Sequence, residues 1–224
     1  MKKSSLIVVA LTVLFAIAAN AQHRVGVIGG INIANVKVAD LDPGDVINNR
    51  HLLGIGGIFD FKLSNNAALR LEPMFLKKGA TLQISDSFDT VDFEFGFSYL
   101  ELPIFLKLDL GNRTFRPYVM AGPTIGFLLN SKLQIEVNGT EVDKTDIDSV
   151  TEGIDFALNF GAGISFEMGA KSIFVEGRYA LGLKDIIADG TVEILGEQAE
   201  IDGNIKTTGI QFMAGITFPL GSGH

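Results

Sequence analysis

Cysteine and tryptophan are absent from this 224-residue chain, and histidine occurs only three times. Without cysteine there are no disulfides, no thiolate nucleophile, no cysteine-based zinc site and no anchor through an acylated cysteine. His23 and His224 stand near the ends of the mature chain, which leaves His51 as the one imidazole inside an ordered stretch. Positive charge is also scarce. The 18 Lys+Arg against 26 Asp+Glu give a net charge of −8, the wrong sign for a nucleic-acid binder, which needs a basic patch to displace counterions from phosphates. No apolar run reaches the roughly 20 residues of a membrane-spanning helix. The length fits one domain.

The N-terminus reads as an address. Lys2 and Lys3 precede an apolar run from Leu6 to Ala18, and Ala19-Asn20-Ala21 is a small-x-small cleavage site, the pattern of a secretory signal. Cleavage is expected between Ala21 and Gln22. The chain then divides into residues 1–21, the signal peptide, and 22–224, the mature domain. An exported chain with no membrane helix is either soluble or a β-barrel, because only helices and closed barrels satisfy every backbone polar group in lipid.

From Gln22 onward the hydrophobic period is two, which predicts strands at about 23–34, 51–62, 66–78, 93–109, 114–129, 154–167, 172–184 and 204–219. Ile154, Phe156, Leu158, Phe160, Ala162, Ile164 and Phe166 share one face of the sixth, and Asp155, Ala157, Asn159, Gly161, Gly163, Ser165 and Glu167 share the other. The links alternate between tight turns near 64–66, 111–113 and 168–170 and long connections at 35–50, 79–92, 130–153 and 185–203. Short turns at one end and long loops at the other are the mark of an outer-membrane barrel. The expected fold is therefore all-β: an eight-stranded antiparallel up-and-down transmembrane barrel.

Alternation alone does not say which face is outside. The polar face is rich in Gly, Ala, Ser and Asn, which suits the cramped lumen of eight strands, and glycines such as Gly54, Gly56, Gly122, Gly126, Gly161 and Gly163 make room for larger neighbours. Its charges come in both signs. Arg70, Glu72, Glu101, Lys107, Glu176 and Arg178 are expected to form ion-pair networks inside the barrel, because an unpaired buried charge costs several kcal/mol. The other face carries Leu100, Leu102, Ile104, Leu106 and Leu108, then Ile173, Val175, Tyr179, Leu181 and Leu183, with no charge among them. Phe61, Phe93, Phe95, Phe97, Tyr99, Phe115, Phe127, Phe156, Phe166 and Phe218 are candidates for aromatic girdles. Pro73, Pro103, Pro117, Pro123 and Pro219 fall inside these strands and predict bulges or strand ends. The competing reading is a soluble, lipocalin-like barrel holding a small hydrophobic ligand.

Gly26-Val27-Ile28-Gly29-Gly30-Ile31-Asn32, Tyr99-Leu100-Glu101-Leu102-Pro103-Ile104, Arg116 to Pro123 and Gly177 to Leu183 resemble the strand motifs of the small outer-membrane β-barrel family labelled porin-family or PorT-like. The likeness covers essentially the whole mature chain. It implies an eight-stranded barrel in the outer membrane of a Gram-negative cell, with prolines as a family habit. Some relatives are associated with type IX secretion. Phe218 is the nearest candidate for recognition by the outer-membrane insertion machinery.

Eighteen of the 26 acidic residues fall in the four long connections, which sum to −14 and leave +4 for the rest of the mature chain. Solvation explains this; a bridge to outer-membrane lipid or a docking surface for an envelope protein partner are the functional readings. Asp40-x-Asp42-x-x-Asp45 and Asp143-x-x-Asp146-x-Asp148 offer oxygen ligands but match no EF-hand loop. His51, with Asp92 or Asp155, is the remaining catalytic candidate, and no Gly-x-Ser-x-Gly elbow accompanies it. No catalytic residue, metal site or cofactor is expected. The role read from the residues is structural, adhesive or envelope-assembling.

Overall fold

The structure, a computed structural model, describes residues 23–38, 46–85, 90–111, 114–187, 190–194, 197–201 and 205–220. The expected cleavage site at Ala21 and Gln22 and the first acidic triplet at Asp40, Asp42 and Asp45 lie outside them.

Among the described residues twelve strands form: β1 (His23–Val38), β2 (Val46–Lys62), β3 (Ala67–Leu71), β4 (Met74–Ser85), β5 (Thr90–Asp109), β6 (Phe115–Val137), β7 (Thr140–Asp146), β8 (Ile154–Met168), β9 (Lys171–Gly182), β10 (Gly190–Ile194), β11 (Glu197–Ile201) and β12 (Ile205–Leu220). The eight predicted stretches make the wall, the third of them divided into β3 and β4. Each wall strand pairs antiparallel with its neighbour in sequence, and β1 closes the ring on β12 from His23↔Leu220 to Val38↔Ile205.

The division falls at Glu72-Pro73. Proline gives no N–H to a ladder, and here the backbone turns its remaining groups to both sides: Gly57 N–H donates to the Pro73 carbonyl at 2.9 Å, and Glu72 N–H to the Pro103 carbonyl at 3.1 Å. The expectation of a break holds at this proline. Pro117 and Pro219 lie within two residues of a strand end, opposite Ile164 and Arg24, whereas Pro103 and Pro123 sit in register inside their strands, opposite Thr124 and Leu158.

Strand and loop boundaries differ most at the outer end. Residues 79–92 and 130–153 were expected as connections, but β4 runs to Ser85, β5 starts at Thr90, and β6 continues to Val137 before turning back as β7. At 23 residues β6 extends to about 75 Å, far beyond the roughly 10 residues a membrane strand needs. A two-residue hairpin turn, Asn138 (φ 52°) and Gly139 (φ 77°), reverses the chain there. Both φ values are positive, which Asn-Gly tolerates and most pairs do not.

Burial follows the pleat. On β8, Phe156 and Phe160 are exposed while Asp155, Ala157 and Asn159 are buried; on β9, Val175 and Tyr179 are exposed while Glu176 and Arg178 are buried. The exterior is apolar and the charges are inside.

Candidate functional site

The lumen holds two charged clusters separated by an apolar layer. The inner one, nearer the tight turns, is centred on Arg70 at the end of β3. Its Nε and Nη2 reach the Asp60 carboxylate at 2.6 and 2.9 Å, and its Nη1 approaches Glu72 at 3.4 Å and Glu176 at 3.3 Å. Arg178 donates to Glu72 at 2.5 Å and through Nε to Glu176 at 2.7 Å, and Tyr118 Oη–H donates to Glu176. Aromatic faces complete the surroundings: Arg70 lies 5.1 Å from the Phe174 ring centre and Arg178 5.0 Å from that of Phe105. Such contacts stabilise a desolvated guanidinium.

Tyr118 fits because residue 163 lacks a side chain. A Cβ there would stand 2.5 Å from the Tyr118 Cζ. Gly54, Gly56, Gly126 and Gly161 similarly face Leu76, Met74, Tyr99 and Met120, whereas Gly122 makes room for the backbone of Ile104.

Met74 and Leu76 take the two inward positions after the break in the third wall strand and pack with Ile28, Ile58, Phe105, Met120 and Met213 across the lumen. Beyond this layer comes the outer cluster, in which Lys78 reaches Glu101 at 2.6 Å and Asp155 at 2.8 Å. Glu101 and Lys107 therefore do not meet. Lys107 contacts Asp109 at 3.2 Å and lies 4.3 Å from the centre of the Tyr118 ring. Three members of these clusters, Asp60, Lys78 and Asp155, were not among the six residues picked from sequence. Parity places all three on the inward face, Asp60 two residues beyond Ile58 and Lys78 two beyond Leu76.

Above the outer cluster the mouth is closed by a second core. Phe97, Tyr99, Leu133 and Ile135 from the extended strands pack with Ile147, Val150, Ile186 and Ile187 from the connections, all of them buried. A short 3-10 turn at Asp148–Val150 holds this cap down: the Asp148 carboxylate accepts from Ser131 N–H at 2.5 Å and from Ser131 Oγ–H at 2.7 Å. Glu152 N–H donates to the Ile186 carbonyl at 2.8 Å, and Lys184 pairs with Glu152 at 2.8 Å. Phe97 and Tyr99, proposed for a girdle, are thus part of the cap. Phe115, Phe127, Phe156, Phe166 and Phe218 do face outward, with Phe115 and Phe166 in edge contact at 5.2 Å.

His51 points away from the lumen and is exposed, while Asp155 points into it and is engaged by Lys78. The Asp92 carboxylate accepts from Gln83 at 2.9 Å. Asp143, Asp146 and Asp148 spend their oxygens on neighbouring groups, including the backbone N–H of Lys144 and of Asp148, and among the described residues no cluster of three metal-ligating side chains forms.

A closed ring of eight antiparallel strands, greasy outside and filled with paired charges inside, defines a transmembrane β-barrel, and the soluble lipocalin-like alternative is overturned by this polarity. Residues 19–188 match the family described as outer membrane protein beta-barrel domain. The chain belongs to that family and resides in the outer membrane of a Gram-negative cell. No curated protein matches it. Among solved structures it is similar to the outer membrane protein OprG of Pseudomonas aeruginosa (12% identity, TM-score 0.51, covering 90% of this chain and 97% of that one). It is also similar to Neisserial surface protein A (10%, 0.49, 89% and 98%) and to Ail, the attachment invasion locus protein of Yersinia pestis (14%, 0.42, 88% and 100%). The OprG likeness shows the fold.

Proposed function

We propose that this protein is a closed, non-catalytic component of the cell surface, in which the barrel is the anchor and the outer sheet with its acidic connections is the working part. The observation that carries this reading is the capped mouth. Eight buried apolar side chains from strands and connections meet above the lumen, and two ion clusters and an apolar layer lie below, so the lumen from the cap down to the inner cluster is filled by packing.

What projects outward is the β6–β7 hairpin, with Glu136, Glu141, Asp143 and Asp146 along it. An acidic surface held on a rigid sheet suits adhesion to, or assembly with, a partner of basic surface in or on the envelope. Reconstitution into planar lipid bilayers tests the closed state: the expected result is no discrete conductance steps, and reproducible steps from the folded protein would overturn it.

A further inference from the structure

At the end opposite the cap, the lumen opens into a cavity of about 320 Å³ bordered by the turns that carry Ser64, Asn65, Gly169 and Ala170. This is the periplasmic side, where the short turns lie, and the volume falls at the small end of the ~300–1,000 Å³ typical of ligand pockets.

Its charges do not balance. Arg24, Lys62, Arg70, Lys107 and Arg116 line the wall, against Asp60, Asp109 and Glu167. Asp60 is taken up by the bidentate contact with Arg70. Glu167 is shared by two arginines at longer range, Arg24 at 3.5 Å and Arg116 at 3.8 Å. Among the described residues Asp109 pairs with Lys107 alone and Lys62 enters no ion pair. The lining carries two more cations than carboxylates, and one positive charge remains in excess when Glu72, Glu176 and Arg178, which share Arg70 behind the wall, are included, while the four outer connections sum to −14. Ser64, Ser172 and Thr217 add hydroxyls to the same surface. Cations and hydroxyls around a concave site with low-dielectric walls attract an anion more strongly than the same groups on an open surface.

We propose that this vestibule binds a small phosphate- or carboxylate-bearing anion from the periplasm, with Lys107 at its floor and Lys62 and Arg116 at its rim. The site is separate from the outer sheet, and its test does not depend on the role given to that sheet.

Calorimetric titration of the full chain in maltoside micelles, at low salt, with inorganic pyrophosphate and separately with citrate, decides the matter. The expected result is saturable one-to-one binding of at least one of them, weakened tenfold or more in the double variant Lys62→Gln/Arg116→Gln and unchanged in Arg50→Gln, whose partner Glu94 lies at the outer end. Tighter binding of pyrophosphate assigns a phosphate ligand, and tighter binding of citrate a carboxylate. Both rim positions are partly exposed, and heat-shifted gel migration verifies that the variants remain closed barrels. Absence of saturable binding by both anions, or affinity unaffected by the double variant, would overturn the proposal.

Discussion

Arg178 Nη2 lies 2.5 Å from the Glu72 carboxylate, although the two residues are 106 positions apart. The contact ties β9 to the proline break in the third wall strand across the lumen, and the same guanidinium holds Glu176 through Nε at 2.7 Å. Removing one partner of a buried pair strands the other charge, which costs about 3–5 kcal/mol. Arg178→Met is therefore expected to lower unfolding stability in micelles by that amount. Glu72→Gln added to it removes one of the stranded carboxylates, and the double variant should be more stable than Arg178→Met alone in urea melts followed by circular dichroism.

Gly163 and Tyr118 form a second testable pair. With a Cβ placed 2.5 Å from the ring, Gly163→Ala forces the phenol off Glu176, and overpacking of this kind costs about 1–3 kcal/mol. Gly153→Ala is the control: nothing lies within 4 Å of its added methyl group, so its midpoint should stay at the wild-type value.

The outward face gives a third prediction. Val175 is 52% exposed near the middle of β9, and an arginine at the bilayer midplane of a barrel costs about 2–4 kcal/mol. Val175→Arg should lose that much in lipid vesicles, whereas Lys171→Arg, at the strand's periplasmic start, should be near neutral.

The cap should open when its apolar centre is cut. Ile147 is fully buried against the extended strands, and truncating a buried isoleucine to alanine costs about 2–5 kcal/mol. Ile147→Ala is expected to raise protease cleavage of the 138–153 connection on intact cells while the barrel still shows heat-shifted migration. Unchanged cleavage would mean that the cap contributes little to closing the mouth.

The wall was legible because a period of two is the direct signature of a strand with unlike faces, and because the alternate positions Leu100, Leu102, Ile104, Leu106 and Leu108 carry no charge and so mark the lipid side. Parity also held enough information to find Lys78 and Asp60, which stand two residues beyond the inward-facing Leu76 and Ile58, but the expected networks drew on Arg70, Glu72, Glu101, Lys107, Glu176 and Arg178 alone. Lys107 shares the strand and face of Glu101, but Lys78 on the neighbouring strand comes nearer. The outer sheet was lost in what looked like acidic loops. There Leu133 and Ile135 still alternate with Lys132, Gln134 and Glu136, and Asn138-Gly139 announces the hairpin, yet the density of Asp and Glu masked both signals. No period in the sequence shows that Ile147 or Ile186 folds back over the mouth, because such contacts depend on where the connections land.

Which side of the wall faces lipid can be measured directly, because the chain has no native cysteine to interfere with labelling. Single cysteines at successive positions from 172 to 181 on β9, spin-labelled in bilayers, report collisions with dissolved oxygen. Accessibility is predicted to alternate, with maxima at 173, 175, 179 and 181 and minima at 174, 176, 178 and 180. Maxima at 174, 176 and 178, or no alternation at all, would contradict it.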